Sequence, residues 1–105
     1  MKTQVSIHHH DYPAELRELV EEKLEQLFRF CSDKVTFRAR LEREADDHRV
    51  EIVATVPHGP VLVADVRAEG VRPALDEALD RMARKLKRAR EKAVLERRRP
   101  GRSAG

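Results

Sequence analysis

The chain has one cysteine, no tryptophan and few aromatic side chains in its 105 residues. The lone Cys31 cannot close an internal disulfide, which fits a reducing compartment. Tyr12, Phe28, Phe30 and Phe37 are too sparse for a sheet that stacks bases on aromatic pairs. No stretch approaches the roughly 18 apolar residues of a membrane span. Met1–Ile7 alternates polar and apolar residues and lacks a signal peptide's apolar core. The expected location is therefore cytoplasmic, with no membrane partner. A Gly-rich phosphate loop and a paired-carboxylate signature are both missing. No catalytic residue, no cofactor and no small-molecule substrate is expected. Neither C-x-x-C nor H-x-x-x-H spacing occurs, so no metal site is expected either. The adjacent His8-His9-His10 reads as a loop that meets solvent or RNA.

Charge is what the chain has in abundance. Residues 1–80 carry 11 Lys and Arg against 17 Asp and Glu, a balance of −6. Residues 81–105 carry 11 against 2, a balance of +9. A mildly acidic body with a strongly basic end suggests a module that meets a polyanion with one defined surface.

Periodicity gives the elements. Lys2–Ile7 alternates, with Val5 and Ile7 on one side, and predicts a first strand. Pro13 suits the first turn of a helix, and apolar spacing carries that helix from Ala14 to about Cys31. Val35–Glu42, Arg49–Val56 and Val61–Ala68 each have one apolar face, as half-buried strands do. Ala45–His48 and Pro57–Pro60 are the turns between them. Pro73 opens a second helix reaching about Arg97. Its core stripe is Leu75, Leu79, Met82 and Leu86, flanked by Ala78, Ala89 and Ala93. The prediction is an α+β domain over residues 1–97, ordered β-α-β-β-β-α. A four-stranded mixed sheet carries both helices on one face. Residues 98–105 lack apolar period and predict a disordered basic tail.

At 100° per residue the core stripe of the second helix clusters within about 60°. Arg81, Arg84, Lys85, Arg88 and Lys92 form a second stripe away from it. Asp76, Asp80, Glu91 and Lys87 occupy the remaining flank. Like charges at i, i+4 repel, a cost that phosphates would remove. A solvated face complementing the helix dipole is the plainer alternative. Asp46-Asp47 fits turn chemistry, and Glu42, Glu44, Asp46 and Asp47 fit a solvated hairpin end. On the outer sheet face stand Arg38, Arg40 and the valines Val53, Val61 and Val63. Those valines are either scattered surface residues or a face for a weak homodimer.

The run Ala74-Leu75-Asp76-Glu77-Ala78-Leu79-Asp80-Arg81-Met82-Ala83-Arg84-Lys85-Leu86-Lys87-Arg88 resembles the second helix of the hibernation-promoting factor and ribosome-associated inhibitor A family. Arg81, Arg84, Arg88 and Arg90 stand at that family's basic positions, and Lys85 replaces its Gln. Leu16–Leu27 is similar to the family's first helix, and the likeness extends from residue 1 to about 92. Gly70 and Arg72 depart from the family's D-x-Y before the second helix, and Ile7 replaces its Gly or Arg in the first loop. The resemblance implies a short form of a non-enzymatic factor. Its partners would be the small ribosomal subunit and its rRNA. Lying along the mRNA and tRNA channel, it would block translation in ribosomes stored under stress. The RNA-binding residues expected are Arg81, Arg84, Lys85, Arg88, Arg90 and Lys92, with Lys23, Arg38 and Arg40 as secondary contacts. A dimeric protein-interaction module and a general binder of structured RNA are the alternatives.

Overall fold

A computed structural model describes residues 2–8 and 12–98. Its elements are β1 (Lys2–Ile7), α1 (Ala14–Gln26), a 3-10 turn (Leu27–Phe30), β2 (Thr36–Glu44), β3 (Asp47–Thr55), β4 (Val61–Ala68) and α2 (Val71–Arg98). The strands lie in the order β1-β2-β3-β4. β1 runs parallel to β2, and the two later pairs are antiparallel. This is the expected β-α-β-β-β-α fold with a mixed sheet.

Alternation in the sequence becomes two faces because successive strand side chains point to opposite sides. Val5, Ala39, Ile52 and Ala64 form one row across the sheet. All four are buried. The helices supply the other half of that core, through Leu16, Val20 and Leu24 of α1 and Ala74, Leu75, Ala78, Met82 and Leu86 of α2. Phe37 is fully buried and takes the edge of Phe28 at 4.9 Å between ring centres. β1 is an edge strand, and the Arg17 guanidinium donates to its Val5 carbonyl at 2.6 Å.

The structure moves several predicted boundaries. α1 stops at Gln26, and a tighter 3-10 turn replaces its last turn. Leu27, Phe28, Phe30 and Cys31 cannot all share one α-helical stripe. The tighter turn buries Leu27, sets Phe28 on Phe37 and leaves Phe30 half-buried toward α2. Pro13 sits just before α1 rather than within it. The first hairpin pairs out to Glu44 and Asp47, which leaves only Ala45-Asp46 as its loop. Two-residue loops match strand twist best, but they ask for left-handed backbone. Ala45 supplies it at φ 53°. In the second turn, the Gly59 N–H donates to the Val56 carbonyl at 3.0 Å. A Cβ on Gly59 would lie 2.9 Å from Val56 Cγ1, so glycine is required by close approach. His58 takes the left-handed position of this Pro57-led turn, at φ 56°.

α2 begins at Val71, two residues before Pro73, which therefore still lies in the first turn, where a missing N–H costs nothing. Only Glu69 and Gly70 separate it from β4, so it folds back along that strand. Its 28 residues span about 42 Å, whereas the 8 of β4 span about 26 Å. The helix thus outruns the sheet. Leu86 is its last buried side chain among the described residues. Ala93, expected beside the core stripe, is exposed because it lies beyond the strand ends. Leu79 is half-buried, and Ala74 joins the core instead. Arg98 closes α2, and the rest of the expected tail, like His9 and His10, lies outside the described residues.

Candidate nucleic-acid interface

α2 carries most of the expected contacts, and its sides differ in kind. Arg81, Arg84, Lys85, Arg88 and Lys92 are all exposed along one side. They span about 16 Å of a rod whose inner side is pinned by Leu75, Met82 and Leu86. The stripe is not uniformly free. Arg81 pairs with Glu77 at 3.0 Å, and Arg84 pairs with Asp80. Among the described residues, Lys85, Arg88 and Lys92 have no ion pair. The repulsion expected of five bare cations is therefore relieved at the docked end and persists toward the projecting end.

The other predicted contacts fall on separate surfaces. Arg90 points to the opposite side of α2 and, with Arg97, lines a cleft beneath the projecting helix. Lys23 is half-buried in the groove between α1 and α2, beside Asp76 and Asp80. Arg38 and Arg40 lie on the sheet face away from the helices, in rows with Val53 and Glu51. Arg40 is held by Glu42 at 3.3 Å. One side of α2 thus unites Arg81, Arg84, Lys85, Arg88 and Lys92, while Arg90, Lys23, Arg38 and Arg40 stand apart from it.

Two arrangements were hidden from sequence spacing. Lys87, placed on the acidic flank, lies 4.8 Å from the centre of the Phe30 ring. Such a contact contributes about 0.5–1 kcal/mol at an exposed site, and it braces α2 against the 3-10 turn. The acids of the hairpin end are also engaged. Arg49 donates to both oxygens of Asp65, at 2.9 and 2.6 Å, and reaches Glu42 at 3.3 Å and Glu44 at 3.5 Å. Arg67 meets Glu44 at 2.8 Å. The hydrogen bond from Arg49 holds the Asp65 carboxyl below its usual range, and that same bond raises the Arg49 guanidinium. Sequence distance concealed these partners, since Arg49 and Asp65 meet only through the β3–β4 register.

The remaining reactive groups are quiet. The Cys31 thiol donates to the Leu27 carbonyl at 3.6 Å, and burial pushes its pKa up, away from the nucleophilic thiolate. Tyr12 and His48 share a hydrogen bond of 2.6 Å that ties the first loop to β3, and burial raises the Tyr12 phenol. No cluster of three metal-binding side chains occurs among the described residues. No described helix is long and apolar enough to cross a membrane. On the outer sheet face Val61 is 60% exposed and Val63 41%, while Val53 is half-buried.

A family model described as "Sigma 54 modulation protein / S30EA ribosomal protein" matches residues 3–94. The N-terminal domain of Protein Y from Thermus thermophilus has a similar structure, with a TM-score of 0.74 and 24% identity over 84% of this chain and 98% of that one. A ribosomal subunit interface protein from Coxiella burnetii is similar at a TM-score of 0.73 and 20% identity, covering 87% of this chain and 99% of its own. At these identities the likeness establishes the fold. No curated protein matches.

Proposed function

The chain belongs to the sigma 54 modulation protein / S30EA ribosomal protein family, and from that premise we propose that it binds the small ribosomal subunit and blocks translation. It would lie in the mRNA and tRNA channel and contact rRNA through the outward side of α2. The observation that carries this is the set of exposed cations Lys85, Arg88 and Lys92, without an ion pair among the described residues, on a helix whose inner side is buried as far as Leu86. Arg81 and Arg84 extend the same side and can exchange their carboxylates for phosphates.

The mechanism is occlusion. The helical backbone that carries these cations is already ordered, so binding costs their side-chain freedom but little backbone freedom. The body of the domain then fills space that mRNA and tRNA would need, and no chemical step is involved. The protein acts in the cytoplasm on ribosomes held inactive. Cosedimentation with purified small subunits tests this. The protein travels with the subunits at low salt and leaves them at high salt. Protein that stays at the top of the gradient at low salt overturns the proposal. An excess of unrelated RNA duplex that strips the protein from subunits would favour a general RNA binder.

Exposed Val61 and Val63 on an edge strand support a second reading, self-association through the outer sheet face. Light scattering that shows a tight dimer with no RNA binding would favour it over the first.

A further inference from the structure

The cleft beneath the projecting half of α2 has a volume of about 550 Å³. That lies within the roughly 300–1,000 Å³ of pockets that hold small organic groups. Its walls come from α2, the end of the 3-10 turn and the β3–β4 turn. Val35, Val56, Leu86 and Ala93 make an apolar lining, and Arg90 and Arg97 line it as well. Neither arginine has an ion pair among the described residues. The small side chain at Ala93 keeps the space open. The β3–β4 turn holds its shape through Gly59 and through His58 at φ 56°.

We infer that this cleft receives one unstacked nucleotide of a bound single-stranded RNA, its base against the apolar lining and its phosphate on Arg90 and Arg97. The inference rests on the RNA-binding reading of α2. Two features select this occupant. The lining is largely apolar, includes Arg90 and Arg97, and has no carboxylate among the described residues, which suits a flat apolar body joined to an anion. The same two turns of helix carry Arg88 and Lys92 on the outward side and Arg90 on the cleft side. An RNA strand that leaves the outer stripe and passes around the projecting end of α2 brings its next nucleotide to the cleft. The chain's own residues 99–105 are a poorer occupant, because they bring Arg99 and Arg102 to a site that is already cationic.

The test uses the full chain, a short oligoribonucleotide containing one 2-aminopurine, and a blunt duplex of the same sequence. Binding of the single strand should change the 2-aminopurine emission and be tighter than binding of the duplex. Ala93→Phe fills the cleft without altering charge and, at an exposed position, without disturbing the core. It should weaken single-strand binding about tenfold, the worth of one held base, with the salt dependence unchanged. A double variant, Arg90→Gln with Arg97→Gln, should instead lower the log–log salt slope by about 0.7, the loss of one single-strand phosphate contact. Equal binding of single strand and duplex, or wild-type affinity in Ala93→Phe, overturns the inference. Either failure with small-subunit cosedimentation intact refutes the cleft alone and leaves the proposed function standing.

Discussion

The outer face of the sheet and the outward side of α2 are both exposed and both rich in arginine, yet they differ in what the cations meet. On the sheet, Arg40, Arg49 and Arg67 bond to carboxylates supplied by neighbouring positions and strands, and Arg38 alone of the outer-face arginines of β2 has no ion pair among the described residues. On α2, Lys85, Arg88 and Lys92 have no such partner among the described residues. A cation that already has its counter-ion contributes to the fold. One without a partner is available to an external anion. Charge counting cannot separate these cases, whereas strand register and helical phase can.

Breaking the free side of this comparison has the largest expected effect. Replacing Lys85, Arg88 and Lys92 together by Gln should weaken small-subunit binding about a hundredfold or more at moderate salt and lower the salt slope by roughly 2 to 3. Replacing Arg81 and Arg84 by Gln should cost less per residue, since each must first release Glu77 or Asp80. Arg38→Gln with Arg40→Gln should leave subunit binding within about twofold, because those cations lie on the other layer. Filter binding with each variant ranks the three effects, and equal losses would erase the distinction between free and paired cations.

The paired side is broken by Arg49→Gln. This leaves Asp65, Glu42 and Glu44 facing one another without their shared cation, and the thermal midpoint should fall while subunit binding is preserved. Asp65 gives the pH signature of the same cluster. Its folded pKa lies below the unfolded value of about 3.9, so its contribution is present above that pH and is lost as pH falls through the folded pKa. Urea titrations should show Asp65→Asn less stable than the wild type near neutrality, with the gap closing below about pH 4. A gap that persists in acid would mean that Asp65 acts through packing.

The smallest effect concerns the loop that joins β2 to β3. Ala45 sits at φ 53°, where a side chain is strained. Ala45→Gly should stabilise the fold by about 0.5–1 kcal/mol in chemical denaturation. No gain there would indicate that the hairpin loop relaxes at little cost.

Much of the fold was legible because β2, β3 and β4 each alternate cleanly, and Phe37, Ala39, Leu41, Val50 and Ile52 all face the core as their spacing predicts. The outward stripe of α2 was legible for the same reason, through the phase of Leu75, Met82 and Leu86. Other features depend on distances that no spacing encodes. Lys87 meets Phe30 because the 3-10 turn rotates that ring toward α2. Arg90 parts from the other cations by helical phase, which its spacing does encode, whereas the cleft it lines exists because α2 outruns β4. Arg49 and Asp65 meet through a register fixed only once the β3–β4 hairpin is paired.

The salt dependence of binding to isolated small subunits tests the central claim most directly. If the outward side of α2 engages about five phosphates, log affinity should fall against log salt with a slope of roughly −4 to −5. The variant lacking Lys85, Arg88 and Lys92 should retain the thermal midpoint of the wild type but only about half of that slope. A wild-type slope near zero, or a variant with an unchanged slope, would contradict the account.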